Sequence, residues 1–215
     1  MNNIAKYIDH TFLKKDATSK EIEKVCLEAM EYGFYGVCLY PKFLSVAKKI
    51  LKKNGPKLIA VVDFPNGDGE PHEKGLEAKD AIEKGAEEID FVIDVLALKD
   101  QNYKKVFDGM KSVVDSSKGV LVKAIIETAY LNYDDKIIAC ALAKAAGVTF
   151  IKTSTGLKGG ATVADIALIK KIIGENMYIK ASGGIKTAQD ALSMINAGAS
   201  RIGTSSSLKI LAIDS

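Results

Sequence analysis

The stretch "TFIKTSTGLKGG" (residues 149–160) puts an ammonium where a strand core should be. Phe150 and Ile151 open a short β-type apolar run, Lys152 continues it, and polar, Gly-rich chain follows at once. A buried charge must be paired or neutralised. Whether this run stands alone or in a series decides the fold.

It stands in a series. The runs "YIDHT" (7–11), "GVCLY" (36–40), "LIAVVDF" (58–64), "EIDFVID" (88–94), "VLVKAIIE" (120–127), "TFIKTS" (149–154), "YIKASG" (178–183) and "RIGTSS" (201–206) all have strand character. Helix signals lie between them. "TSKE" at Thr18–Glu21 is a capping box, and "TVAD" from Thr162 and "TAQD" from Thr187 repeat its pattern with an acid three residues after the Thr. "EYG", "EKG", "AAG" and "NAG" put glycine where helices end. Centred on Asp9, Cys38, Asp63, Asp90, Lys123, Lys152, Lys180 and Gly203, the runs recur every 23 to 33 residues. One βα unit takes about 30 residues. Eight in a row predict an α/β protein with a (β/α)8 TIM barrel as a single domain over residues 1–215. A doubly wound open sheet is the structural alternative, but it carries fewer strands and a glycine fingerprint, GxGxxG, that is absent here.

The bulk numbers suit one soluble domain: 215 residues, 47% hydrophobic and 27% charged. Thirty basic and 27 acidic residues give a net charge of +3, too balanced to argue for nucleic acid or an anionic membrane. No run approaches the roughly 18 apolar residues of a membrane span, and "MNNIAKYIDH" has no signal-peptide core. Cys26, Cys38 and Cys140 are odd in number, widely spaced and without a metal pattern. A reducing, cytoplasmic location is the resulting expectation.

Strand side chains alternate in direction. Asp90 shares a face with Glu88, Val92 and Asp94, while Ile89, Phe91 and Ile93 take the other. Lys123 goes with Leu121, Ile125 and Glu127; Lys152 with Phe150; Lys180 with Tyr178 and Ser182. The apolar partners belong against helices, so the charges belong inside the barrel. Asp90, Lys123, Lys152 and Lys180 then converge from four consecutive strands, and Asp9 joins from the first. Desolvation and mutual repulsion are expected to push at least one lysine toward the neutral amine, a nucleophile for carbonyl carbon. A lone strand lysine ordinarily sits at an edge with its head in water, and a charged cluster can be an ion-pair scaffold. Three lysines and an aspartate in matched phase on adjacent strands favour chemistry.

"STGLKGG" (154–160), "SGGIKT" (182–187) and "GTSSS" (203–207) follow three late strands. Glycine lets backbone N–H groups approach a ligand, and such loops form the phosphate site of these barrels. Each alone also reads as a turn.

Together, "YIDHTFLK", "GVCLYPKF", "GAEEIDFVID", "LVKAIIET", "FIKTSTG", "IKASGGIKTAQDAL" and "RIGTSSS" run in order over nearly the whole chain. This set resembles the deoxyribose-phosphate aldolase family of class I aldolases. The resemblance implies Lys152 as the Schiff-base lysine, Lys180 as the neighbour that tunes it and relays protons, and Asp90 as proton donor and acceptor. It implies substrate contacts at Asp9, Thr11, Cys38, Lys123 and Thr155. A phosphate grip would come from Gly156, Lys158, Gly183, Gly184, Lys186, Gly203, Ser205 and Ser206. The implied reaction is reversible cleavage of 2-deoxy-D-ribose 5-phosphate to acetaldehyde and D-glyceraldehyde 3-phosphate, in deoxyribonucleoside breakdown. It needs no cofactor and no metal. The partner is a phosphorylated sugar, and a homodimer is left open. His10 reads as a satisfied residue near the site, and His72 as exposed loop.

Three departures qualify the resemblance. Asp63 stands where a small or neutral residue is expected, and Asp94 where an amide is commoner. Both are expected to face inward, with Asp94 able to pair with a lysine and change its pKa. The tail "LKILAIDS" lacks a terminal tyrosine that some members use in proton transfer. Two other readings stand beside this one: a Schiff-base aldolase or transaldolase for a different phosphorylated sugar, and a non-catalytic barrel whose lysines only bind an anion.

Overall fold

The computed structural model describes residues 4–212. Its strands are β1 (Ile8–Thr11), β2 (Gly36–Leu39), β3 (Lys57–Val62), β4 (Glu88–Val92), β5 (Leu121–Ile125), β6 (Phe150–Lys152), β7 (Tyr178–Ser182) and β8 (Arg201–Thr204). All pair in parallel, in chain order, and β8 closes onto β1 through Ile8↔Ile202 and Asp9↔Gly203. Helices α1 (Ser19–Glu31), α2 (Leu44–Ile50), α3 (Pro71–Glu83), α4 (Val95–Lys99), α5 (Tyr103–Ser116), α6 (Tyr133–Ala146), α7 (Val163–Ile173), α8 (Ala188–Asn196) and α9 (Ser207–Ile210) cover the outside. This is the predicted (β/α)8 barrel. No helix among the described residues is long and apolar enough to cross a membrane.

The predicted helix signals act as read. Thr18 and Glu21 form a complete capping box on α1, and Thr187 and Asp190 do the same on α8. Thr162 caps α7 by accepting from Asp165 N–H. Gly33, Gly85, Gly147 and Gly198 end their helices with φ of 66°, 112°, 86° and 118°, the left-handed turn that glycine takes without penalty.

The two faces of the strands differ as the alternation requires. Ile89, Phe91, Ile151 and Ile179 pack outward in the main apolar core beneath the helices. Inside, a small apolar cluster of Cys38, Ile59 and Val61 fills the β2–β3 side. Beside it, the interior holds charged side chains, with Phe150 packed near Lys123 and Arg201. Asp90 lies level with Lys123, and Lys152 with Lys180, in the strand register.

Candidate active site

Asp90 is the hub. Its carboxylate has no exposure, and the next three strands, β5, β6 and β7, each deliver an ammonium group to it. Lys123 Nζ donates to Oδ1 at 2.7 Å. Lys152 Nζ and Lys180 Nζ donate to Oδ2 at 2.8 and 2.7 Å. Lys180 also lies 2.5 Å from Asp9 Oδ2, and Lys123 lies 2.6 Å from Glu88 Oε2. Arg201 closes the ring, with Nη1 3.1 Å from Asp9 Oδ1 and 3.3 Å from Glu88 Oε2. Its guanidinium carbon stands 3.2 Å from the centroid of the Tyr35 ring, and the Tyr35 hydroxyl donates to Glu88 Oε1 at 2.8 Å.

Seven charged side chains therefore share the barrel interior: Lys123, Lys152, Lys180 and Arg201 against Asp9, Glu88 and Asp90. Burial alone would raise the Asp90 carboxyl, but the three ammoniums overcome it and hold Asp90 well below the usual carboxylate range. Burial alone would lower Lys180, but Asp9 and Asp90 overcome it and raise this lysine above its ordinary range. Lys123 is raised in the same way, by Asp90 and Glu88 against burial. The sequence expectation is that at least one lysine is pushed toward the neutral amine. Repulsion among the lysines does not neutralise Lys123 or Lys180, because the interleaved carboxylates outweigh it. Lys123 and Lys180 each touch two carboxylates. Lys152 touches only Asp90 Oδ2, an oxygen it shares with Lys180.

Lys152 is also the lysine of this set that reaches open space. A cavity of about 300 Å³ is lined by Lys152, Thr11, Thr155, Gly156, Gly183, Gly184, Lys186, Gly203, Ser205 and Ser206, with Leu13, Phe64 and Ile185 among its apolar walls. Three late loops meet here because glycine lets them. Gly183 has φ 86°, and a Cβ on it would come within 2.6 Å of Gly159 O. Gly203 makes room of another kind: a Cβ there would meet Lys180 Cε at 2.8 Å.

Several expected contacts lie elsewhere. Asp9, Cys38, Lys123 and Lys180 are fully buried behind the cavity wall rather than on it. Cys38 Sγ sits 3.9 Å from Asp90 Oδ2, and burial pushes its thiol up. Lys158 does not line the cavity; its Nζ lies 5.4 Å from the Tyr130 ring centroid, beside a separate cavity of about 160 Å³. Asp63 and Asp94 do not join the charged ring. Both follow the ends of their strands. Asp63 turns at φ 47°, accepts from Gly69 N–H and pairs with Lys74 Nζ at 2.6 Å. Asp94 caps α4 by accepting from Ala97 N–H, and its lysine partner is Lys105 at 3.1 Å, which it draws upward. His72 is exposed as expected, but in the first turn of α3 instead of a loop. The last three residues of the tail, 213–215, lie outside the described residues.

Three working residues escaped the sequence reading: Arg201, Glu88 and Glu127. Alternation puts Glu88 on the face of Asp90 without giving it a role, and the same alternation puts Arg201 in phase with Gly203, so it could have been found. Glu127 is buried at φ 52° just past β5. It accepts from Thr155 Oγ1 at 2.6 Å and from Thr155 N–H at 3.2 Å, fixing the loop after β6.

Known proteins are similar to this chain in sequence and fold. The DeoC/LacD family aldolase model matches residues 3–212. A deoxyribose-phosphate aldolase of a Geobacillus species is 50% identical over 212 residues, spanning 98% of this chain and 95% of the relative. That of Thermococcus gammatolerans is 50% identical over 214 residues, spanning 97% and 95%. The tetrameric deoxyribose phosphate aldolase from Aeropyrum pernix superposes with a TM-score of 0.87 at 31% identity, covering 97% of this chain and 89% of that one. The chain belongs to the DeoC/LacD aldolase family.

Proposed function

We propose that this protein is a class I aldolase that reversibly cleaves 2-deoxy-D-ribose 5-phosphate to acetaldehyde and D-glyceraldehyde 3-phosphate. The carrying observation is Lys152: a lysine with one shared carboxylate contact, open to a cavity whose walls include three glycine- and serine-bearing loops. The four cations and three carboxylates around Asp90 balance when one ammonium gives up its proton. Lys152 has the least carboxylate contact to lose.

As a free amine, Lys152 attacks the C1 aldehyde of the open-chain sugar, and loss of water gives an iminium. The iminium draws in the C2–C3 bonding pair as the C3 hydroxyl proton leaves. D-glyceraldehyde 3-phosphate departs and an enamine remains on Lys152. Protonation of the enamine carbon restores an iminium, and water releases acetaldehyde and the free amine. Asp90 and Lys180 stand 2.7 Å apart beside Lys152, placed to carry the protons between these steps. Lys180 and Lys123 stay cationic beside the reacting nitrogen. Gly156, Gly183, Gly184, Lys186, Ser205 and Ser206 take the phosphate, by backbone N–H groups, hydroxyls and one ammonium. The names of the Geobacillus and Thermococcus relatives support this substrate. The reaction belongs in the cytoplasm, where a phosphorylated sugar is retained. The tetrameric Aeropyrum relative supports self-assembly, with a homodimer as its smallest form, readable by sedimentation velocity.

The test is reductive trapping. The protein is incubated with 2-deoxyribose 5-phosphate and borohydride, and the modified peptide is mapped by mass spectrometry. One adduct at Lys152, absent in Lys152→Leu, is expected. Phosphate binding without any adduct would move the protein to the class of non-catalytic anion-binding barrels.

A further inference from the structure

His10 lies between Asp9 and Thr11 on β1 but points the other way, out of the barrel interior. There it makes two hydrogen bonds that tie three parts of the fold. Its Nε2 is 2.9 Å from Glu28 Oε2 on α1, and its Nδ1 is 2.8 Å from Ser207 Oγ at the start of α9. Ser207 has no exposure and directly follows Ser205 and Ser206, which line the cavity beside Lys152. A carboxylate on Nε2 fixes the tautomer. Nε2 carries the proton, and Nδ1 accepts from the Ser207 hydroxyl. The imidazole packs against Phe34, with ring centroids 5.2 Å apart.

The loop after β8 borders two cavities. A second cavity, of about 420 Å³, opens on its far side, and Thr11, Ser205 and Ser206 are walls of both cavities. Thr204 holds the near end, donating to Ile185 O at 2.8 Å and accepting from Ser206 N–H at 2.9 Å. At the far end Ser207 Oγ bonds to His10 Nδ1 at 2.8 Å, with Thr204 O more distant at 3.4 Å. With space on two sides of Ser205 and Ser206, these hydrogen bonds bear directly on where the loop sits.

We propose that His10 is a positioning residue for the phosphate-binding loop, acting through Ser207 and anchored by Glu28. This rests on the aldolase reading for its kinetic test, though not for its binding test. It separates phosphate recognition from the bond-breaking chemistry, because Ser207 directly follows Ser206 and the His10 side chain bonds to Ser207 and Glu28 and to none of the charges around Asp90.

Three variants dissect it: Ser207→Ala, His10→Gln, whose amide reaches toward Glu28 and not Ser207, and His10→Asn, which keeps an acceptor near the Nδ1 position. Inorganic phosphate binding is measured by titration calorimetry, and cleavage is followed with 2-deoxyribose 5-phosphate and with unphosphorylated 2-deoxyribose. Loss of one such hydrogen bond is expected to weaken phosphate binding and raise KM for the phosphorylated sugar about five- to tenfold. The change should appear in Ser207→Ala and His10→Gln and be smaller in His10→Asn. The kcat for the phosphorylated sugar and kcat/KM for 2-deoxyribose should stay within about twofold of the parent. Equal losses on both sugars, or unchanged phosphate affinity, would overturn the proposal. If the parent binds phosphate but cleaves neither sugar, the aldolase reading fails, and the phosphate titration still decides the tether. Should His10→Gln fail to fold, Ser207→Ala, which removes one oxygen, carries the same test.

Discussion

Arg201 bears a full charge inside the barrel yet never reaches the cavity. Its work is to hold Asp9 and Glu88, and each of these carboxylates faces a site lysine. Arg201→Met keeps the bulk over Tyr35 and removes the charge. Two buried carboxylates then lose a partner, so a loss of about 3 kcal/mol is expected in urea unfolding. The kcat should fall about tenfold or more as Asp9 and Lys180 lose their fixed geometry. Arg201 escaped the sequence reading: its partners lie 192 and 113 residues away in the chain, which no local pattern encodes. Lys152 was legible for the opposite reason: its oddity is local, a charge in an apolar run before glycines. His10 gives a residue-scale pH prediction. Burial lowers it from its ordinary 6.5, against the pull of Glu28. The unfolded chain then binds that proton first, so the contribution to stability is full above about pH 6.5 and falls as pH drops through the folded value. Urea midpoints from pH 8 to 5 should show this fall, flattened in His10→Asn.

At the scale of elements, the strands deliver the chemistry and the loops after them deliver the substrate. Gly183→Ala and Gly203→Ala separate these jobs. At Gly183 the backbone is left-handed, with Gly159 O in the way, so alanine strains the phosphate loops by about 1–2 kcal/mol or more. KM for the phosphorylated sugar should rise about tenfold or more, with far less change for 2-deoxyribose. Gly203 has ordinary strand φ, and its Cβ would press on Lys180 Cε. Here kcat should fall on both sugars, with KM nearly unchanged. Equal kinetic effects from the two variants would erase the division of labour. Strand cores were readable because β-branched runs, caps and terminal glycines agree with one another. Strand ends were not. Asp63 and Glu127 turn the chain at φ 47° and 52° while apolar neighbours Phe64 and Ile126 continue the pattern. Hence Asp63 and Asp94 appeared as inward charges, and Glu127 as one more strand residue.

Across the whole molecule, a closed barrel that would ordinarily fill its centre with apolar layers holds seven charges instead. Such a network is weak evidence for stability in itself. Charge counting predicts which members the fold needs. Lys152→Met leaves Lys123, Lys180 and Arg201 against Asp9, Glu88 and Asp90, three against three, and Asp90 Oδ2 keeps Lys180. Stability in urea should stay within about 1 kcal/mol of the parent or rise, as apolar replacement in buried networks commonly allows. The borohydride-trapped adduct should vanish. Asp90→Asn leaves four cations against two carboxylates and strips three ammoniums of their shared partner, so about 3–5 kcal/mol should be lost. The pH dependence follows from the directions of the shifts. Asp90 is depressed, so its contribution persists above the ordinary carboxylate range and fades only as pH falls below it. Lys123 and Lys180 are raised, so theirs is full below the ordinary lysine range and fades only as pH climbs past it. Between about pH 5 and 9 the Asp90→Asn deficit should therefore be constant. A barrel that loses equal stability in both variants would hold Lys152 as scaffold. A stable Lys152→Met protein that forms no adduct would mean that the fold carries this lysine for chemistry alone.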